Sequence, residues 1–257
     1  MDELNLAITG GVATVSINRP DKRNALTQQM WDELTELVRS AAADPSLRAL
    51  VVRSAEPGVF SAGADINEYR RFAGDAAWGM ASQARVAGAL GAIRALPVPA
   101  VAVIDGACVG GGSGIALACD LRVASERSVF AITPAKLGLV FPHEDIAALV
   151  DLVGAATAKR ILFTGFRFDA RWARDRGFVD EVHPVEELDA AVDGLLAELT
   201  QVAPSSVRAM KRIVGLVQQG VRTMTPETER LVEAALRGAD HREGVSAFLE
   251  RRAAVFT

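Results

Sequence analysis

The chain has 257 residues, half of them hydrophobic and 23% charged, which is ample core material for one large domain or a core domain with an appended piece. A formal net charge of -4 argues against a general polyanion binder, so no nucleic-acid partner is expected. No apolar run approaches the roughly 20 residues of a membrane span, and the acidic start Met1-Asp2-Glu3-Leu4 lacks the apolar segment of a secretory signal, so a cytoplasmic protein with no membrane partner is expected. The two cysteines, Cys108 and Cys119, lie in an apolar, Gly-rich stretch and read as buried thiols of a reducing compartment. The three histidines, His143, His183 and His241, have no zinc-motif spacing, so no metal is expected.

Residues 4–18 read as two short strands around Gly10-Gly11, with Val15 and Ile17 alternating against Thr14 and Ser16. A helix follows from Thr27, a plausible N-cap, with Met30, Leu34, Leu37, Val38 and Ala41 at helical spacing, and Asp44-Pro45 ends it. Residues 49–52 form an apolar run of the kind buried on both faces of a sheet. A loop rich in Gly and Ala, 58–64, leads to a helix near Asp65, where Glu68 forms a loose capping box. Residues 75–95 read as an Ala-rich helix stopped by Val98-Pro99, and 100–104 as another buried strand. A Gly-rich loop from Asp105 to Gly114 opens a helix through Cys119, and 121–124 and 129–132 read as strands. From 145 onward helical patterns dominate, including one at Pro226 with Thr225 as N-cap. The class is α/β with a helical C-terminal section, and the strand spacing also fits a spiral of ββα turns.

Gly110-Gly111-Gly112 joins a buried strand to a helix, where free backbone N–H groups and a positive dipole end attract anions. A nucleotide triphosphate is disfavoured because Gly112 stands where a P-loop needs lysine. A dinucleotide is disfavoured because Ile115 stands where the third glycine of its fingerprint would be. A transient oxyanion held by two N–H groups needs a second loop, and Ser61-Ala62-Gly63-Ala64-Asp65 is a candidate. From the glycines alone, this reading and that of two tight turns stay equally open.

The run Asn18-Arg19-Pro20-Asp21-Lys22-Arg23-Asn24-Ala25-Leu26 resembles the N-terminal signature of the enoyl-CoA hydratase/isomerase (crotonase) superfamily. Phe60-Ser61-Ala62-Gly63-Ala64-Asp65-Ile66 is similar to its first oxyanion loop, and Gly106 to Gly112 with Ala116-Leu117-Ala118-Cys119-Asp120 to its second. Leu162 to Gly165, Gly177 to Asp180 and Phe248 to Arg252 resemble later signatures, so the matches span nearly the whole chain in order. The resemblance implies a crotonase-like spiral of ββα turns over 1–195 that binds acyl-CoA. It implies a helical oligomerisation region over 196–257 that builds a homotrimer or a dimer of trimers. The backbone N–H groups of Ala64 and Gly111 would be the oxyanion donors, with Gly110, Pro134 and Phe141 near the substrate. Arg23, Ala25, Ala62, Asp65 and Ile66 match positions along the coenzyme A channel, and Phe248 and Arg251 match positions that reach a neighbouring subunit's ligand. Coenzyme A enters as part of the substrate, and no separate cofactor is implied.

The resemblance also exposes departures. Hydratases of the family use two glutamates to activate water; here Gly114 and Pro134 occupy those positions. Δ3-Δ2 isomerases typically keep the second. A non-standard hydratase, isomerase or lyase acting through a thioester enolate is therefore expected, with a methylmalonyl-CoA-type decarboxylase or a non-catalytic acyl-CoA-binding protein as alternatives. The Thr133-Pro134 to Leu137-Gly138 pattern resembles the decarboxylase branch, but that branch's His and Tyr align with Ala64 and Phe141. His143 and Glu144 are the candidate proton-transfer groups, followed by Asp145, for which a helix cap is the competing role. Phe72, Trp78 and Met80 are candidates for the acyl pocket or for packing.

Overall fold

Alternating apolar residues set the first hairpin in the computed structural model, which describes residues 2–256. Strands β1 (Leu4–Thr9) and β2 (Val12–Ile17) pair antiparallel, and the turn uses the positive φ of Gly10 and Gly11 (58° and 80°). Ala13, Val15 and Ile17 are buried, as the period of two requires. Helix α1 (Gln28–Ala42) is capped by Thr27, whose hydroxyl accepts from the Met30 N–H, and it turns Met30, Trp31, Leu34 and Val38 inward.

The chain then repeats one unit: a strand in a large sheet, a short strand in a second sheet, and a helix. The first repeat is β3 (Ala49–Ser54), β4 (Val59–Ser61), α2 (Ile66–Arg71) and α3 (Ala76–Arg94). The second is β5 (Ala100–Ile104), β6 (Ala107–Val109) and α4 (Gly111–Ala118). The third is β7 (Leu121–Ser125), β8 (Val129–Ala131) and α5 (His143–Thr164). Strand β9 (Phe168–Asp169), helix α6 (Ala170–Asp175) and strand β10 (Glu181–His183) complete the spiral. The large sheet runs β1-β2-β3-β5-β7-β10, parallel from β2 onward; the small one runs β4-β6-β8-β9. This is the crotonase-like arrangement of ββα turns. The strands β9 and β10 fall in the stretch whose sequence pattern reads as helical; two or three residues are too few to show a period of two.

Between the sheets and α1, α3 and α4 lies the main core, with Trp31, Phe60 and Phe130 fully buried. On the outer face of the large sheet, Val51, Val101, Val103 and Val123 pack against α7 (Leu188–Gln201). Leu196 and Leu199 belong to that contact, so a division after residue 195 cuts a helix that is part of the spiral. The C-terminal section proper is α8 (Pro204–Gln218), α9 (Pro226–Arg237) and α10 (Ala239–Glu250). A reciprocal Thr225–Thr228 capping box starts α9. The section is tied back by Lys211 on Asp120 (2.6 Å), Arg208 on the Leu47 carbonyl (3.0 Å) and Arg48 on the Phe256 carbonyl (2.9 Å).

The junction of α4 with β7 is held by Arg122. Its guanidinium donates to the Cys119 carbonyl (2.8 Å) and the Asp180 carboxylate (2.9 Å), at the C-terminal end of α4 where carbonyls lack helical partners.

Candidate active site

The first loop is clamped by the segment before α1. Asn24, buried and at φ 55°, donates its amide to the carbonyls of Val59 (2.8 Å) and Phe60 (3.2 Å). The Ser61 hydroxyl donates to the Asn24 carbonyl (2.7 Å). Along the loop itself, the Ala62 N–H donates to the Arg23 carbonyl, the Gly63 N–H to the Ser61 hydroxyl and the Asp65 N–H to the Leu26 carbonyl. The Ala64 N–H alone of these four has no acceptor among the described residues. The Leu26–Ala64 bridge orients this peptide, because Leu26 bonds the residues on either side of it.

The second loop presents a matching group. Gly110 donates to the Ala131 carbonyl (2.9 Å), which fixes the turn, and its φ of 55° and ψ of -114° suit only glycine. Gly111 opens α4, so its N–H has no helical acceptor, and no other acceptor in the described residues reaches it. The two loops touch backbone to backbone. A Cβ on Gly63 would sit 3.0 Å from the Gly111 nitrogen, and a Cβ on Gly111 would sit 3.4 Å from the Ala64 nitrogen. Two peptide donors without partners thus stand side by side at one wall of a cavity of about 130 Å³. Such a pair can hold an oxygen that gains negative charge.

The remaining walls are mostly apolar. Trp31 and Val86 close one side; Leu139, Val140 and Phe141 come from the loop before α5. Ala62, Ile66, Gly110 and Pro134 line the same space, so seven predicted site residues meet here, counting Ala64, Gly111 and Phe141. Tyr69 and Gln83 add polar atoms. The single carboxylate in the wall is Asp145.

The structure separates His143 and Glu144 from this cavity. Both are exposed in the first turn of α5, and neither lines the wall, while Asp145 beside them is 1% exposed. A first-turn helix exposes successive residues at 100° steps, so only one of three neighbours faces inward. Nor does Asp145 cap the helix: the N-cap is Pro142, with no side-chain bond. Asp145 Oδ1 instead accepts from Arg94 at the end of α3, and Oδ2 has no partner among the described residues. Burial pushes the Asp145 carboxyl above the ordinary range, and Arg94 only partly offsets this.

Asp65 does not line this cavity. Its carboxylate caps α2 through the Asn67 N–H and pairs with Arg19 at 2.7 Å, in a neighbouring cleft that Lys22 and Thr27 also line. Burial alone would raise its pKa, but the bonds from Arg19 and Asn67 outweigh burial and hold it low. Glu68 does not complete a capping box with it; its carboxylate accepts from the Gln28 N–H (2.9 Å) at the start of α1. Arg23 and Ala25 lie outside the cavity wall; their carbonyls bond Ala62 and Arg19. Phe248 is exposed on α10, and Arg251 follows that helix at φ 54°; neither lines the cavity. Phe72 and Trp78 stack on each other at 4.9 Å, and with Met80 they stay outside it too.

The chain matches the family described as enoyl-CoA hydratase/isomerase over residues 7–257. It is 35% identical to the mitochondrial enoyl-CoA hydratase domain-containing protein 2 of Mus musculus, over 97% of this chain and 86% of the relative. It is 30% identical to the mitochondrial methylglutaconyl-CoA hydratase of Rattus norvegicus, over 94% of this chain and 78% of the relative. These names put both relatives in mitochondria, where the reading of the sequence expected the cytoplasm for this chain. Among solved structures, an enoyl-CoA hydratase/isomerase family protein from Hyphomonas neptunium superimposes with a TM-score of 0.95 at 38% identity, covering 99% of this chain and 97% of that one. No helix among the described residues is long and apolar enough to cross a membrane.

Proposed function

We propose, from the premise that this chain belongs to the enoyl-CoA hydratase/isomerase family, that it binds an acyl-CoA thioester and stabilises the enolate of that thioester. One observation carries the reading: the Ala64 and Gly111 N–H groups lack partners among the described residues and stand together at a mostly apolar cavity. A thioester carbonyl oxygen accepts from both, and the bonds strengthen as the oxygen becomes an enolate. Preorganised donors of this kind are worth roughly 3–4 kcal/mol each in a water-poor site.

The same reading separates this protein from a standard hydratase. Water addition across a double bond uses one group to take a proton and another to give one. Gly114 and Pro134 bring no carboxylate to the cavity, and Asp145 is the only acid in its wall. Arg23, Ala25, Ala62 and Ile66 lie along the coenzyme A portion. Asp65 serves that channel by fixing the start of α2 rather than by touching the ligand. A homotrimer or a dimer of trimers is the assembly, supported by the exposed apolar residues Met210, Val214, Leu236, Phe248 and Leu249 on the C-terminal helices. Phe248 and Arg251 reach the neighbouring subunit's ligand in that assembly.

The test follows crotonyl-CoA and 3-hexenoyl-CoA by mass spectrometry in D2O. Deuterium entering C2 of 3-hexenoyl-CoA, with slow hydration of crotonyl-CoA, is the expected result. Rapid hydration of crotonyl-CoA overturns the separation from hydratases. Binding with no exchange overturns enolate formation and leaves an acyl-CoA-binding protein.

A further inference from the structure

An ionisable oxygen buried without a partner costs free energy, so a side chain retained only for stability would pair both of its oxygens. Asp145 pairs one. Its Oδ1 accepts from Arg94, and its buried Oδ2 accepts from nothing among the described residues. Asp145 also forms part of the cavity wall, so the bare oxygen belongs to a group at the candidate site.

Its position relative to the oxyanion donors is specific. Gly111 and Gly114 are three residues apart on α4 and therefore share a helix face. A Cβ on Gly114 would stand 3.4 Å from Asp145 Oδ2 and 3.0 Å from Leu90 Cδ1. The carboxyl of Asp145 thus borders the volume that a longer side chain at 114 would fill, and it arrives there from α5 instead of α4. The glycine leaves room for the carboxyl, which stands one helical turn beyond the Gly111 amide.

We propose that Asp145 is the proton-transfer residue of this site and that Arg94 is its positioning residue. The inference rests on the enolate reading given above. In a 3-enoyl-CoA, Asp145 Oδ2 takes a proton from C2. The C–H electron pair moves into the chain and charge gathers on the thioester oxygen, held by the Ala64 and Gly111 amides. The carboxyl then gives a proton to C2, or to C4 as the double bond shifts from C3–C4 to C2–C3; exchange of the carboxyl proton with solvent between the two transfers is what carries deuterium into the product in D2O. Atoms balance in either outcome with no water and no co-reactant. A single carboxyl suffices for both transfers, which matches a wall holding one acid.

The charged groups facing Asp145 are Arg94 from α3 and Glu144 from its own helix; α4 offers only uncharged residues there. Burial and Glu144 favour the neutral form, and Arg94 favours the charged one. The net rise brings the carboxyl nearer the operating range of a general base. A structural ion pair is the competing explanation, but a pair kept for packing does not need a bare oxygen at a cavity.

The experiment measures deuterium entry at C2 and formation of the 2-enoyl product from 3-hexenoyl-CoA in D2O, with binding of the same compound followed by calorimetry. Asp145→Asn is expected to lose about 100-fold or more of the exchange rate, the scale of a lost general base, while affinity stays within about threefold. Adding Gly114→Glu to Asp145→Asn is expected to restore part of the exchange, because a carboxyl then reaches the same volume from α4. Arg94→Gln is expected to move the acid limb of the pH–rate profile to higher pH and to leave the plateau rate less affected. Exchange by Asp145→Asn at the wild-type rate overturns the proposal and leaves the enolate reading intact. Absence of exchange in the wild type sinks the enolate reading and this proposal with it. If Asp145→Asn fails to fold, the Arg94→Gln profile decides, and an unmoved limb overturns the proposal.

Discussion

A methyl group on Gly111 would stand 2.9 Å from Cζ2 of Trp31 and 3.4 Å from the Ala64 nitrogen. The indole is fully buried, so it has little room to give way. Gly111→Ala is therefore expected to crowd the oxyanion position as well as the tryptophan. Loss of one donor interaction corresponds to a fall of about 100-fold to 1,000-fold in turnover. Overpacking costs about 1–3 kcal/mol of stability, to be read from urea unfolding. Gly111 has ordinary helical φ, so backbone strain does not contribute.

Gly106 holds the second loop in register with the first. Its φ is +80°, and a Cβ there would overlap the Gly58 carbonyl. Gly106→Ala combines an unfavourable φ with a backbone clash, each worth about 1–3 kcal/mol. A loss of about 2–6 kcal/mol in urea unfolding is expected, together with loss of turnover in the folded fraction.

The buried Asp145 carboxyl makes stability depend on pH. Its folded pKa is raised by burial, so the native state holds this proton more tightly than the unfolded chain does. The stabilisation is full below the unfolded carboxyl pKa and is lost as pH rises through the raised value. Asp145→Asn cannot lose a proton, so its stability relative to wild type is expected to improve between about pH 4 and pH 8. Urea midpoints measured across that range check the sign; a difference that shrinks with rising pH contradicts it.

Cys108 and Cys119 are buried in the core, and burial pushes each thiol up to about 12. Thiolate is the reactive form, so native protein at about pH 8 is expected to resist iodoacetamide. Mass spectrometry should show both thiols alkylated only after denaturation. Labelling of the folded chain at a rate near that of free cysteine would contradict the burial.

The parts legible in the sequence were those that local pattern decides. Val15 and Ile17 gave the first hairpin, Thr27 and Thr225 gave helix starts, and the runs 49–52 and 100–104 gave the central strands of the large sheet. The glycine loops suggested where donors stand, but whether their amides were free depended on acceptors far away in sequence, such as Leu26 and Ala131. Asp145 follows His143 and Glu144 directly in the chain. Which of the three turns inward follows from the helix start at Pro142, a boundary the pattern leaves uncertain by several residues. Arg94 and Trp31 lie 51 and 114 residues from Asp145 in sequence, and no short motif could have brought them to it. Asp65 and Glu68 show the reverse: their spacing suits a capping box and Asp65 does cap α2, yet the Gln28 amide takes the Glu68 carboxylate and the box stays half made.

The two groups proposed to hold the thioester oxygen are peptide units, and that has a consequence for how such a protein can be altered. No amino-acid exchange deletes a peptide hydrogen except proline; only added bulk or a displaced turn can spoil it. Positions 114, 134 and 145 carry no such duty, so their residues can be traded independently of the carbonyl cradle. Redesign of the reaction outcome can therefore be confined to these three positions while the cradle is inherited unchanged.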